Sequence, residues 1–264
     1  MELRQISNRQ LTLLRKLNRK KYRQKERLFL LEGARAVQQV LKNDLLKVEA
    51  LFFDDGKGYW NHTEWQGFIK TIDSFQIAND AFLDVTDTDH PQGVLALCAM
   101  PEESPLEKLT AQSRVMIALD AIQDPGNVGT IIRTASWFGA GGILAGKGTV
   151  DLFHSKVVRS TAGATGSVPY LNGDLNEMLR EFEQAGWKVF LLDAGTQSIS
   201  LSQVKSIDKA IIVVGNEAHG LSPEIVTAGR QKVKISSPEN NRDVESLNAA
   251  VATSIALYDL TEKL

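Results

Sequence analysis

The side chains best suited to chemistry in this sequence fall in three clusters, each directly after an apolar run. In LDAIQDPGNVGTIIRTASWFGA they are the amide of Asn127 and the guanidinium of Arg133. In IIVVGNEAHGLSPE the carboxylate of Glu217 follows Gly215, and KISSPENNRDVESLNAA supplies Ser246 and Asn248. A guanidinium can hold a phosphate or steady charge on an acidic hydroxyl, while amides and carboxylates orient such groups by hydrogen bonding. Each residue also has an ordinary use: Arg133 as an exposed helical arginine, Glu217 as a surface acid, Asn127 as a helix N-cap. His219 reads as a loop histidine, and the four histidines show no ligand spacing. Cys98 is the only cysteine, so neither a metal centre nor an intramolecular disulfide is expected. The segment from Gly141 to Gly146-Lys147 misses a phosphate-binding P-loop, because Gly148 stands where Ser or Thr would hold magnesium. No G-x-G-x-x-G follows a strand.

These clusters need elements to position them. In the second half, RVMIALD, GGILAG, KVFLLDA, KAIIVVG and QKVKIS read as strands. NVGTIIRTASWFG, TVDLFHSKVVRSTAG, NEMLREFEQAGW and SPEIVTAG read as helices. Strands that are apolar throughout, alternating with amphipathic helices, imply an α/β fold whose parallel sheet is covered on both faces and binds ligands at its carboxyl ends. Val128, Ile131, Ile132, Ala135 and Phe138 form a buried stripe that Gly139 ends. Gly215 permits close approach of a ligand to the backbone, and Ser222 caps a short helix with Pro223 at its first position. The last helix starts in DVESLNAAVA, capped by Ser246 or Asp243. Leu247, Ala250, Val251, Ser254, Ile255 and Tyr258 recur at helical spacing as its buried face. In a parallel sheet the three loops emerge on one side, so Asn127, Arg133, Glu217, Ser246 and Asn248 should converge.

The first half contains a helix in FLLEGARAVQQVLKND with Ala34, Val37, Val40 and Leu41 inward, a strand in KVEALFFDD and a helix in NHTEWQGFIKTID. A short strand in SFQIAND and an apolar strand after the Pro91–Gly93 turn complete it. The expected organisation is a basic arm over 1–27, a small α/β domain over 28–100, a linker over 101–112 and a larger domain over 113–264. Residues 1–27 hold ten Lys or Arg against two Glu, while the whole chain carries a net charge of −2. A basic arm on an acidic body suggests nucleic acid, with Arg15, Lys16, Arg19, Lys20, Lys21 and Arg23 as candidate phosphate ligands. The alternative is an amphipathic helix, because Leu11, Leu14 and Leu17 mark a helical stripe. No apolar run approaches the ~18 residues of a membrane span. The start lacks a signal-peptide core, although its basic, acid-poor character also suits a mitochondrial presequence. A cytoplasmic location is the simplest expectation.

In their order, DPGNVGTIIRTASWFGA, GNEAHGLS and SLNAAVA resemble the three motifs of the SpoU-type (TrmH-like) RNA ribose 2′-O-methyltransferases of the SPOUT superfamily. The basic start, FLLEG and HPQGVLAL are similar to that family's L30e-like amino-terminal substrate-binding domain. The resemblance implies an S-adenosylmethionine-binding α/β domain with a carboxyl-terminal trefoil knot, and a homodimer. It places Gly215, Ile235 and Leu247 at the cofactor, with Asn127, Arg133, Glu217, Ser246 and Asn248 at functional positions. The chain departs from the family between Ile235 and Ser246, where SSPENNRDVE runs about three residues longer than the usual connection.

Methyl transfer from a sulfonium donor calls for no metal; it calls for alignment of the ribose oxygen and a place for its proton. A guanidinium is a poor base, so the resemblance casts Arg133 first as holder of a phosphate and stabiliser of charge on the ribose oxygen, with direct proton abstraction as the alternative. Asn248 would orient the ribose or the cofactor, Ser246 would cap the helix, and Glu217 would position Arg133 or the loop around the donor. Ribosomal RNA is the favoured substrate. Transfer RNA, or a non-catalytic RNA-binding protein of the same fold, are the alternatives.

Overall fold

The computed structural model describes residues 3–88, 90–112, 114–195, 197–205, 208–227, 229–237 and 246–263, which divide into two units. The first comprises residues 1–101 and 151–166. Its elements in chain order are β1 (Arg4–Gln5), α1 (Asn8–Leu17), α2 (Lys20–Glu26), β2 (Leu28–Glu32), α3 (Ala34–Lys42), β3 (Val48–Asp54), α4 (Thr63–Ile69), β4 (Ser74–Ile77), α5 (Asn79–Val85) and β5 (Val94–Ala99). The strands form one mixed sheet in the order β1-β4-β3-β5-β2, with β5 antiparallel to both neighbours.

The basic start is not a free arm. Ser7 and Gln10 close a capping box on α1. The Leu14 and Leu17 side chains are then buried beside Phe52, Ile77 and Phe82, each contributing about 1.5–3 kcal/mol of apolar burial. Arg23 must be withdrawn from the RNA ligands. It is 2% exposed, and its guanidinium donates to Asp151 Oδ2 from Nε (3.0 Å) and to the Leu17 carbonyl (2.8 Å). Arg15 remains exposed but is paired with Asp84 at 2.8 Å. Lys16, Arg19, Lys20 and Lys21 stay exposed. FLLE also departs from its expected helix. It is strand β2, because a four-residue apolar run, Leu28–Leu31, fits a buried strand and Gly33, at φ 109°, breaks the chain before α3 begins.

The second unit holds residues 102–150 and 167–264. It contains α6 (Leu106–Thr110), β6 (Val115–Leu119), α7 (Pro125–Trp137), β7 (Ile143–Gly146), β8 (Tyr170–Gly173), α9 (Leu175–Gln184), β9 (Lys188–Leu192), β10 (Ile199–Ser200), β11 (Ala210–Val214), β12 (Gln231–Lys234) and α10 (Ala249–Thr261). Between β7 and β8 the chain leaves for residues 151–166, whose helix α8 (Ser155–Ser160) packs in the first unit. Every strand pair of the seven-stranded sheet is parallel, in the order β10-β12-β9-β11-β6-β7-β8. One face packs under α9, which Asp174 caps and which buries Leu175, Met178, Leu179 and Phe182 at helical spacing. The stretch expected to be a linker lends α6, and with it the fully buried Leu109, to this core. Pro105 caps that helix, and Pro101 is the last residue of the first unit.

Helix α10 packs on α7, β11 and β6. Its buried face is Ala250, Thr253, Ala256, Leu257 and Leu260, whereas Leu247, Val251, Ile255 and Tyr258, expected inside, are exposed. The helix is apolar nearly all round, so its period marks two stripes without saying which one faces inward. Where SPEIVTAG is expected as a helix, Pro223–Ile225 form a turn that anchors through buried Ile225, and Ala228 lies outside the described residues.

Candidate active site

The carboxyl ends of β6 and β11 and the start of α10 supply the site. Asp120 ends β6 as a 5% exposed carboxylate that accepts two bonds from Ser222, from its backbone N–H (2.6 Å) and its hydroxyl (2.8 Å). Asn216, past the end of β11, donates to the Ala121 carbonyl (2.7 Å), and its Oδ1 accepts from the Ala218 and His219 N–H groups. Neither clamp emerges from the sequence reading. An acid at the end of a buried strand is the signal that points to Asp120. The 216–220 loop folds back so tightly that a Cβ on Gly215 would lie 2.5 Å from the Gly220 carbonyl carbon. Gly215 is therefore required by its own chain, whatever ligand approaches it.

On this frame three of the expected residues meet. Asn127 Nδ2 donates to Glu217 Oε1 at 2.9 Å, and Asn248 Nδ2 donates to Asn127 Oδ1 at 2.9 Å. Asn127 does not cap α7. Asp124 does, accepting from the Asn127 N–H at 2.7 Å. Displaced three residues inward, the Asn127 side chain is free to turn toward α10. Asn248 is itself the N-cap of α10, its Oδ1 accepting from Ala250 N (2.9 Å) and Val251 N (3.2 Å). The cap expected of Ser246 or Asp243 thus belongs to Asn248. Thr134, seven residues along α7 from Asn127, shares the same seam with a 3.2 Å contact to the Ser254 hydroxyl.

Arg133 and Ser246 stand outside this network. Both are exposed, and among the described residues neither side chain forms a hydrogen bond or ion pair. Glu217 accordingly does not position Arg133 here; it holds Asn127. Ile235, half-buried just past β12, and Leu247, half exposed just before Asn248, leave apolar surface uncovered at the carboxyl end of the sheet. Of the connection between them, where residues 236–245 depart from the family, residues 238–245 lie outside the described residues.

The profile of the SpoU rRNA methylase family matches residues 114–258, the second unit's sheet and all three loops included. The chain belongs to the SpoU rRNA methylase family. A substrate-binding domain of the MRM3-like type matches residues 8–96. Among SpoU-family relatives, the Bacillus subtilis protein named 23S rRNA (guanosine(2553)-2′-O)-methyltransferase RlmP is 34% identical over 249 residues, covering 93% of each chain. The AdoMet-bound rRNA methyltransferase of Sinorhizobium meliloti superposes with a TM-score of 0.81 at 27% identity, covering 98% of this chain and 96% of that one. AviRb of Streptomyces viridochromogenes, crystallised with AdoMet, shares the fold at a TM-score of 0.83 and 23% identity, over 97% and 98% of the two chains.

Proposed function

We propose that this chain transfers the methyl group of S-adenosylmethionine to a ribose 2′-hydroxyl of ribosomal RNA. The observation that carries the reading is the hydrogen-bonded meeting of Glu217, Asn127 and Asn248, contributed by three separate loops. The ribosomal RNA substrates named for the relatives favour that RNA over transfer RNA.

The uncovered apolar surface of Ile235 and Leu247 fits an adenosyl group, with backbone near Gly215 as the remaining contact. When bound, the donor supplies a methyl carbon on a positively charged sulfur. Arg133, exposed and unpaired among the described residues, is suited to hold an RNA phosphate and to stabilise negative charge growing on the ribose oxygen. Asn248 orients the acceptor, and Ser246 lines the entrance beside it. Lys16, Arg19, Lys20 and Lys21 give the first unit a phosphate-binding surface of its own.

Two further features belong to this reading. The carboxyl-terminal part of the chain forms the family's trefoil knot. The chain works as a homodimer in the cytoplasm, a reducing compartment that suits its single, buried cysteine, Cys98. Support for the dimer comes from α7 and α10, where Trp137 is 84% and Tyr258 57% exposed, beside the exposed Val251 and Ile255. Exposed apolar side chains on two helices that pack together call for a partner. The test is Arg133→Ala: turnover should fall by orders of magnitude while donor binding by calorimetry stays nearly intact. Turnover that survives the change means Arg133 has been given the wrong role.

A further inference from the structure

The hydrogen-bond chain through Asn127 runs in one direction only. Asn248 Oδ1 is committed to two backbone N–H groups of α10, so the Nδ2 of that amide must face Asn127. Asn127 then has to turn its Oδ1 toward Asn248, and its Nδ2 reaches Glu217 Oε1. Both ends demand the same orientation. The helix supplies only donors at one end, and the carboxylate supplies only acceptors at the other. Glu217 Oε2 is steadied by the Gln123 N–H at 3.5 Å. Asn127 is buried, Asn248 is exposed, and the Asn248 Nδ2 keeps a second hydrogen that no described residue accepts.

We infer that Glu217 is a positioning residue which, through Asn127, locks the Asn248 amide so that the start of α10 presents an N–H, and not a carbonyl, to the reacting nucleotide. The group recognised is then an acceptor oxygen of that nucleotide. This assignment rests on the methyl-transfer reading and gives Glu217 no part in moving the proton.

Two double variants with the same net charge as the wild type separate this from a merely structural contact. In Asn127→Asp alone, two carboxylates face each other. Adding Glu217→Gln restores both bonds, because the introduced amide can donate to the introduced carboxylate. Asn248 still donates to that carboxylate, with its N–H orientation kept. In Asn248→Asp the helix cap survives, but the donor to Asn127 is lost. Adding Glu217→Gln lets Asn127 turn over and completes the chain in the opposite direction, with oxygen facing the site.

The experiment measures kcat and KM for transfer of labelled methyl groups from S-adenosylmethionine to ribosomal RNA, alongside thermal melting. Asn127→Asp and Asn248→Asp alone should each lose about 100-fold in turnover, the scale of a misplaced orienting group. Asn127→Asp/Glu217→Gln should recover at least tenfold of that loss, whereas Asn248→Asp/Glu217→Gln should melt like the wild type and recover none. Equal recovery in both pairs would reduce the chain to scaffolding, and recovery in neither would make the Glu217 carboxylate itself the active group. If the wild type transfers no label, it is the methyl-transfer reading that fails, and the variants are not at issue.

Discussion

Asn127 with Glu217 and Arg23 with Asp151 are polar pairs, the first joined by one bond of 2.9 Å and the second by two, of 3.0 and 2.5 Å. Their surroundings separate them. Arg23 is enclosed, its guanidinium divided between Asp151 and the Leu17 carbonyl, so its charge is consumed inside the first unit. The Asn127 chain ends at an exposed asparagine whose remaining N–H points to nothing the described residues supply. Burial and partners, more than residue type, distinguish a polar group that holds the fold from one that awaits a ligand.

The comparison breaks most readily at Asp151. Asp151→Ala leaves a buried guanidinium unpaired and should destabilise the first unit by about 3–5 kcal/mol, read as a lowered midpoint in urea; a loss under about 1 kcal/mol would make the pair ornamental. The exposed cations should respond differently. Changing Arg19, Lys20 and Lys21 together to Ala should leave stability unchanged and flatten the salt dependence of RNA binding by roughly 0.7–0.9 log units for each phosphate no longer neutralised. An unaltered slope would remove them from the RNA surface. Deleting residues 1–27 cannot serve this purpose, because Leu14 and Leu17 leave with the charges.

A smaller effect follows from His154. Burial, then the neighbouring Arg23 charge, holds its imidazole below the usual histidine range, and its Nδ1 accepts from the Lys156 N–H at 3.2 Å. Since the folded form resists the proton that the unfolded chain takes up near pH ~6.5, its stabilisation is full above that pH. It is lost as pH falls toward the lowered folded value. His154→Asn should weaken that acid sensitivity; an identical pH profile would assign it elsewhere. Least affected should be Arg4→Ala, which removes an exposed 3.0 Å pair with Asp73 and should change stability by less than about 1 kcal/mol, checked by the same urea titration.

The parallel sheet is readable in the sequence because its strands are short, apolar throughout and separated by helices of plain amphipathic period. The meeting of Asn127, Glu217 and Asn248 is readable for the same reason, since parallel strands send their following loops to one end. What the sequence hides is direction. The all-apolar α10 cannot say which stripe faces inward, and competing caps at Asp124 and Asn127, or Ser246 and Asn248, differ only in which oxygen reaches the first free N–H groups. Arg23 misleads because a basic run gives no sign of which member is turned into the core. The excursion of residues 151–166 into the first unit is likewise invisible without contacts.

The most direct measurement of the central claim is the chemical position of the transferred methyl group. Ribosomal RNA treated with this protein and tritium-labelled S-adenosylmethionine would be hydrolysed in alkali, which needs a free 2′-hydroxyl to cut the chain. Transfer to the ribose predicts label in alkali-resistant dinucleotides. Label released in mononucleotides, as from a methylated base, or no incorporation at all, would contradict it.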